Sequence, residues 1–199
     1  PAISGADGEL QWFIKDAVNE GIPIVVVDPK PTELARKAKL WLRVRPGTDG
    51  ALALGILNLL FTEDLYDHDF VERYTYGFEE LRARCRDYPP DRVAAITGIP
   101  ASQILAAARW IGATKPLGLE QGCAFEQSVN AMDTCRAIFM IPAVTGNYDV
   151  PGGFVESMEI VPAGLRPANE LPPERIERAL TGGVPFLKRD TMAHPYLML

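Results

Sequence analysis

Three observations in the sequence predict an α/β fold with a mostly parallel sheet. "IPIVVVD", ending at Asp28, is a β-branched run without polar alternation, the pattern of a strand covered on both faces. Helix and strand signals alternate around it, the grammar of a βαβ-type unit. "GALALGILNLLF", beginning at Gly50, is apolar nearly all the way round and so predicts a helix buried on most sides.

The elements follow in order. Leu10, Phe13, Ile14, Ala17 and Val18 recur at helical spacing, after a Ser4/Asp7 start signal and before Gly21, and predict an amphipathic helix. The strand ending at Asp28 comes next. Thr32 then caps a short helix, "ELARKAK", and "LWLRV" (Leu40 to Val44) is the second strand. The buried helix follows "PGTD". Short helices are expected in "DHDFVERYT", "GFEELRARCRDY" and "PPDRVAAITG", the last with Pro90 at a first helical position and Gly98 at the stop. "IPASQILAAARWIG" predicts a capped helix with Ile104, Ala107, Ala108 and Ile111 on one face. "KPLGLEQG" reads as a third strand entering a glycine-containing loop. "SVNAMDTCRAIFMIPAVTG" predicts a long helix whose last turn Pro142 should kink or loosen. Periodicity fades after "GNYDVPGGF". One short helix, "LPPERIERALTGG", precedes a final segment, "KRDTMAHPYLML", that reads as packing on something else.

The totals narrow the function. The 199 residues suit one ordinary domain with an extension, and 47% hydrophobic residues with 23% charged suit a soluble globular core. The net charge of −6, without any basic run longer than two residues, argues against nucleic-acid binding. No apolar stretch of about 18 residues offers a membrane span. The start, "PAISGADGEL", has neither a signal peptide nor an initiator Met and reads as the cut end of something longer. Cys85, Cys123 and Cys135 are too few for a disulfide scaffold and include no C-x-x-C. With only His68 and His194 beside them, neither zinc nor iron–sulfur spacing is met, and the cysteines read as packing residues.

The candidate chemistry lies in the turns. Asp28 ends a parallel strand, on the edge where open α/β sheets bind ligands. A carboxylate there accepts hydrogen bonds from a ribose diol or a base amine, and equally forms a turn before Pro29. Asp49 stands at the same place one strand later. It is either an N-cap, in competition with Thr48, or a carboxylate facing the two parallel donors of a guanine edge. "EQGCAFEQ" and "TGNYDVPGG" carry glycines and amides that could bring backbone N–H groups to a ligand, or simply cap helices. Both G-x-G-x-x-G and the phosphate-binding P-loop are missing. His68, in "DHD", and the acidic pairs Asp67/Asp69 and Glu79/Glu80 read as solvated faces.

Taken together, the ordered motifs resemble the large catalytic subunits of the molybdopterin oxidoreductases, the dimethyl-sulfoxide-reductase family. They are "PAIS", the "DP-x-x-T-x-x-A" turn at Asp28, "PGTDGAL", "LYDHDFVERYTYGFEEL", "YPPDRVAAITGIPASQI" and "TGNYDVPGG". They run from Pro1 to about Phe154, and within the family they look most like the acetylene hydratase and anaerobic dehydrogenase-like branch. The resemblance implies a Rossmann-like three-layer domain over 1–155, lacking its first strand, followed by a C-terminal extension over 156–199. It implies a molybdenum or tungsten bis(molybdopterin guanine dinucleotide) cofactor whose guanosine end this domain holds. Asp28, Pro29 and Thr32 would then meet the ribose or guanine. Pro46, Gly47, Thr48 and Asp49 would meet the guanine edge. Gln121, Gly122, Gly146 and Asn147 would lie toward the pterin or its phosphates. Where the family commonly has Arg after "DP", this chain has Lys30-Pro31, which keeps the charge and loses the fork geometry.

The same resemblance implies that the iron–sulfur cysteines and the protein ligand to the metal lie upstream, so the chain would hold no metal ligand and no catalytic residue of its own. Expected partners are the rest of the catalytic subunit and an iron–sulfur electron-transfer subunit. The compartment, cytoplasm or periplasm, would be set upstream as well. Two competing readings stand beside this one. One is a stand-alone α/β binding or scaffolding domain without cofactor; the other is an unrelated nucleotide-binding enzyme, which the missing phosphate loop disfavours.

Overall fold

The computed structural model describes residues 8–122 and 127–155, with side chains from Phe13 onward. The Ser4/Asp7 start signal, the side chain of Leu10, Cys123, the middle of "EQGCAFEQ" and the extension from residue 156, with its predicted helix and His194, lie outside the described residues. All described residues fall in one compact unit, Pro1–Glu156.

Helix α1 spans Gly8–Asn19, and strand β1 is Val25–Val27. Helix α2, Glu33–Lys37, crosses over to β2, Leu40–Leu42. The strands pair in parallel, with Val25 opposite Leu40 and Val27 opposite Leu42, as a βαβ unit requires. Two flanking bonds lengthen the ladder: Lys39 N–H donates to Ile24 O at 2.9 Å, and Asp28 N–H donates to Leu42 O at 3.2 Å. β1 departs from the expected burial on both faces. Val26 is buried, whereas Val27 is 42% exposed. With two strands among the described residues, only one face of β1 is covered. Phe13 of α1 and the neighbouring Ile22 are exposed too.

The core is built on helix α3, Asp49–Thr62. Leu52, Ala53 and every residue from Gly55 to Phe61 are buried, so the all-round apolar pattern is realised. Around α3 pack α5 (Phe78–Cys85), α6 (Pro90–Thr97), α7 (Ala101–Ala113) and α8 (Ala131–Val144). Each fully buried Leu or Ile there contributes about 1.5–3 kcal/mol. Gly55 lets α3 and α6 approach closely, since a Cβ on it would lie 2.7 Å from Val93 Cγ2. Asn58 is buried as well, and its amide donates to Cys85 O at 2.8 Å, satisfying a polar group that would otherwise be costly. Cys85 is fully buried, and burial pushes its thiol pKa up to about 11. It is therefore a packing residue.

Several local expectations meet the structure directly. Pro90 begins α6, and Gly98 ends it in the left-handed conformation at φ +77. Helix α4, His68–Tyr74, is capped by the Asp67 carboxylate, which accepts from Phe70 N–H at 2.9 Å. Three expectations need correction. Pro100 stands at the N-cap of α7 and makes no side-chain cap bond, so that helix is uncapped. Helix α8 starts at Ala131, three residues later than the sequence pattern suggested, and runs through Pro142 to Val144. "KPLGLEQG" forms no strand. Its Leu117 N–H goes to the side chain of Asn147 at 2.9 Å rather than to a neighbouring strand, and Pro116 has no N–H to offer.

Candidate nucleotide site at the carboxyl edge of the strands

The first turn is set by Asp28. Its Oδ1 accepts from Lys30 N–H at 2.7 Å, which folds the chain sharply after β1. Its backbone carbonyl accepts from Trp41 Nε1 at 2.8 Å, which ties the turn to β2. The residue is 1% exposed. Among the described residues its Oδ2 has no hydrogen-bond partner. The turn role predicted from sequence is therefore present, but it uses one oxygen and leaves the other. A buried acceptor without a donor costs on the order of 1–3 kcal/mol, which a ligand's N–H or O–H would offset. Thr32 caps α2 by accepting from Ala35 N–H at 3.1 Å, and Pro29 is half-buried between them.

The second turn leaves β2 through buried Val44. Arg45 anchors it to the end of α6: its N–H donates to Thr97 O at 2.8 Å and its Nη1 to Ile96 O at 2.7 Å. Pro46 and Gly47 are exposed, Gly47 at φ +80. Thr48, not Asp49, takes the N-cap position of α3, and its hydroxyl donates to Arg45 O at 2.7 Å rather than capping. Asp49 is the first helical residue and half-buried, so the N-cap reading of Asp49 is overturned. Burial pushes its carboxyl above the usual carboxylate range, opposed by backbone hydrogen bonds at Asp49 and Gly47. Because β1 and β2 are parallel and in register, the turns carrying Asp28 and Asp49 leave the same edge of the sheet. The N-terminus of a fourteen-residue helix adds its partial positive charge there.

The sequence reading passed over Trp41 and Arg43. Trp41 braces Asp28 from the next strand, and the Arg43 guanidinium stands 6.0 Å from the Trp41 ring centroid, putting a cation near this edge. Their only signal in sequence was position within "LWLRV".

The other two predicted loops are joined to each other. Gln121 and Gly122 are half-buried and close the described part of the 115–122 segment. Gly146 follows α8 at φ +65. Asn147 is 1% exposed, and its amide is engaged internally. Its Oδ1 accepts from Leu117 N–H, and its Nδ2 donates to Thr145 Oγ1 at 2.9 Å and Thr145 O at 3.2 Å. Its side chain is thus a strut between the loops. Asp67, read from sequence as solvated, pairs with Lys115 and keeps 23% side-chain exposure. His68 is exposed and pairs with Asp64 at 2.8 Å. An open cavity of about 470 Å³ lies elsewhere, beside Tyr66, Glu72, Tyr76 and Phe78. Among the described residues no group of three or more His, Cys, Asp or Glu could hold a metal ion, and no helix is long and apolar enough to cross a membrane.

No family model matches the chain. Individual relatives do. Acetylene hydratase of Syntrophotalea acetylenica is 35% identical over 187 residues, 92% of this chain and 24% of that protein. Dimethyl sulfoxide reductase DmsA of Escherichia coli is 34% identical over 167 residues, 73% of this chain and 20% of that protein. Formate dehydrogenase H of Escherichia coli is 34% identical over 136 residues, 68% of this chain. The solved structure of acetylene hydratase from Pelobacter acetylenicus superposes with a TM-score of 0.67 at 38% identity, covering 69% of this chain and 19% of that one. The chain spans about a quarter or less of the length of the curated relatives it matches. Its parallel strand pair, its helices and its relatives agree: the chain belongs to the molybdopterin oxidoreductase family.

Proposed function

We propose that this region, over 1–155, binds the guanosine end of a molybdopterin guanine dinucleotide in a molybdenum- or tungsten-dependent oxidoreductase, with 156–199 leading toward the next part of the protein. The observation that carries the reading is the Asp28 Oδ2, a buried carboxylate oxygen with no donor among the described residues, at the edge where such sheets take nucleotides. The residues present fit the group. Asp28 would accept from a ribose hydroxyl or a base amine, beside Pro29 and Thr32. Asp49 would accept from the paired donors of the guanine edge, in the turn formed by Pro46, Gly47 and Thr48. Its half-buried position makes such a contact favourable, because a ligand's N–H groups supply the solvation that burial removed. The glycine-containing loops at Gln121/Gly122 and Gly146/Asn147 would offer backbone toward the pterin or its phosphates.

When bound, the cofactor supplies the redox chemistry, and this chain supplies binding and orientation. The metal ligand and any iron–sulfur cluster would come from the rest of the catalytic subunit, and electrons would pass to an iron–sulfur partner subunit. Two measurements test the reading. Acid hydrolysis of the cofactor from the purified protein should release GMP. Calorimetric titration should show GDP binding in preference to ADP, with the preference lost in Asp49→Ala. Equal binding of the two nucleotides would instead leave a generic α/β binding domain.

A further inference from the structure

The two loops proposed to face the pterin lie about 30 residues apart in sequence, yet the structure fastens them at several points. Asp67 is the hub. Its backbone N–H donates to Val144 O at 2.8 Å, at the end of α8. Its carboxylate caps α4 through Phe70 N–H and forms an ion pair with Lys115, at the start of the other loop. Gly146 passes directly over this carboxylate: a Cβ there would lie 2.5 Å from Asp67 Oδ2. Asn147 then ties Leu117 N–H to Thr145, as described above. Farther along, Gly152 packs on Pro116, where a Cβ would approach Cγ to 2.8 Å. Phe154 N–H returns to Asn147 O at 2.7 Å. The segment before Gln121/Gly122 and the turn containing Gly146/Asn147 thus share one set of fasteners.

We infer that Asp67, Lys115 and Asn147 are positioning residues that hold the 115–122 segment and the 145–154 turn as one rigid unit, presented to the cofactor together. The role rests on the guanosine-cofactor reading, because only that reading gives the loops something to face. The side chains of these residues touch neither substrate nor cofactor in this assignment, since the Asn147 amide is spent on Leu117 and Thr145; they act through the loops, whose backbone faces the cofactor. Two features favour positioning over mere packing. The ion pair is half-exposed at Lys115, where burial of apolar surface does not require it. The Asn147 amide spends its bonds across the two loops, not within its own helix end alone.

The test uses the cofactor-loaded protein and three variants, Lys115→Met, Lys115→Arg and Asp67→Asn. Asn can still cap α4, so Asp67→Asn removes the ion pair with little loss of the cap. Amide hydrogen exchange is read in peptides covering 115–122 and 145–154, with α3 as internal control. The rate of cofactor loss from each variant is measured in parallel. Lys115→Met and Asp67→Asn should speed exchange in both loops together, by up to about fivefold for a pair of this exposure, and leave α3 unchanged. Cofactor loss should quicken by a similar factor, and Lys115→Arg should restore both. Loosening of the 115–122 segment alone would overturn the coupling, and coupled loosening without faster cofactor loss would overturn the positioning role. The guanosine reading is judged separately, by GMP release from the unaltered protein, so its failure is distinguishable from failure of the clamp.

Discussion

Substituting Asn for Asp28 separates the two duties of that residue. Asn keeps the side-chain volume and an Oδ1 that can accept from Lys30 N–H, so the turn after β1 should survive. What changes is the other position, where an amide nitrogen replaces the Oδ2 that has no donor among the described residues. In the free protein that oxygen contributes nothing favourable, so Asp28→Asn should leave stability within about 1 kcal/mol of the original in urea unfolding. With nucleotide bound, the lost contact is a charge-assisted hydrogen bond, worth about 1.5–3 kcal/mol, or about ten- to a hundredfold in GDP affinity. The assay is titration followed by calorimetry and by tryptophan fluorescence, since the Trp41 indole bonds directly to the Asp28 carbonyl. A loss of more than about 2 kcal/mol in stability with GDP affinity unchanged would refute the reasoning, and would make Asp28 a turn residue only.

Three further outcomes follow from the same geometry. Because burial raises the Asp49 carboxyl, its charge opposes folding above the raised pKa and costs nothing below the unfolded value near 3.8; Asp49→Asn should therefore stabilise the free protein at neutral pH, with the gain vanishing as the pH falls below that value. Urea melts across that window check the sign. Gly55→Ala should destabilise, because overpacking against Val93 costs about 1–3 kcal/mol and outweighs the helix-propensity gain of about 1 kcal/mol; Gly55→Ala with Val93→Ala should lose less than the sum of the two. A more stable Gly55→Ala protein would show that α3 and α6 have room to part. Arg109→Lys should lose the fork onto Glu63, whose oxygens accept from Nε at 2.7 Å and Nη2 at 2.9 Å, at a cost under about 1 kcal/mol in thermal unfolding.

Much of the fold was legible because its signals are local. The Thr32 cap, Pro90 and Gly98 around α6, and the apolar run of α3 each depend on neighbours within a turn or two. The departures arise where several partners compete for one group and composition does not rank them. Asp49 and Thr48 competed for the N-cap of α3; Thr48 takes the position, with its hydroxyl donating to Arg45 O. "KPLGLEQG" has a strand-like composition, but a strand needs a partner, and its backbone found Asn147 instead.

The candidate site divides in the same way. Sequence alone determined that two carboxylates follow two successive strands, because strand ends and turn residues are written in consecutive positions. It also determined the family, since many short motifs kept their order. Tertiary structure decided that Asp28 is 1% exposed with one carboxylate oxygen that has no donor among the described residues, because burial depends on groups brought in from elsewhere in the chain. It also decided that Asp67 is not a solvated acid but the hub between two loops. That contact joins residues 48 positions apart, and no local pattern encodes which cation will fold back onto which carboxylate.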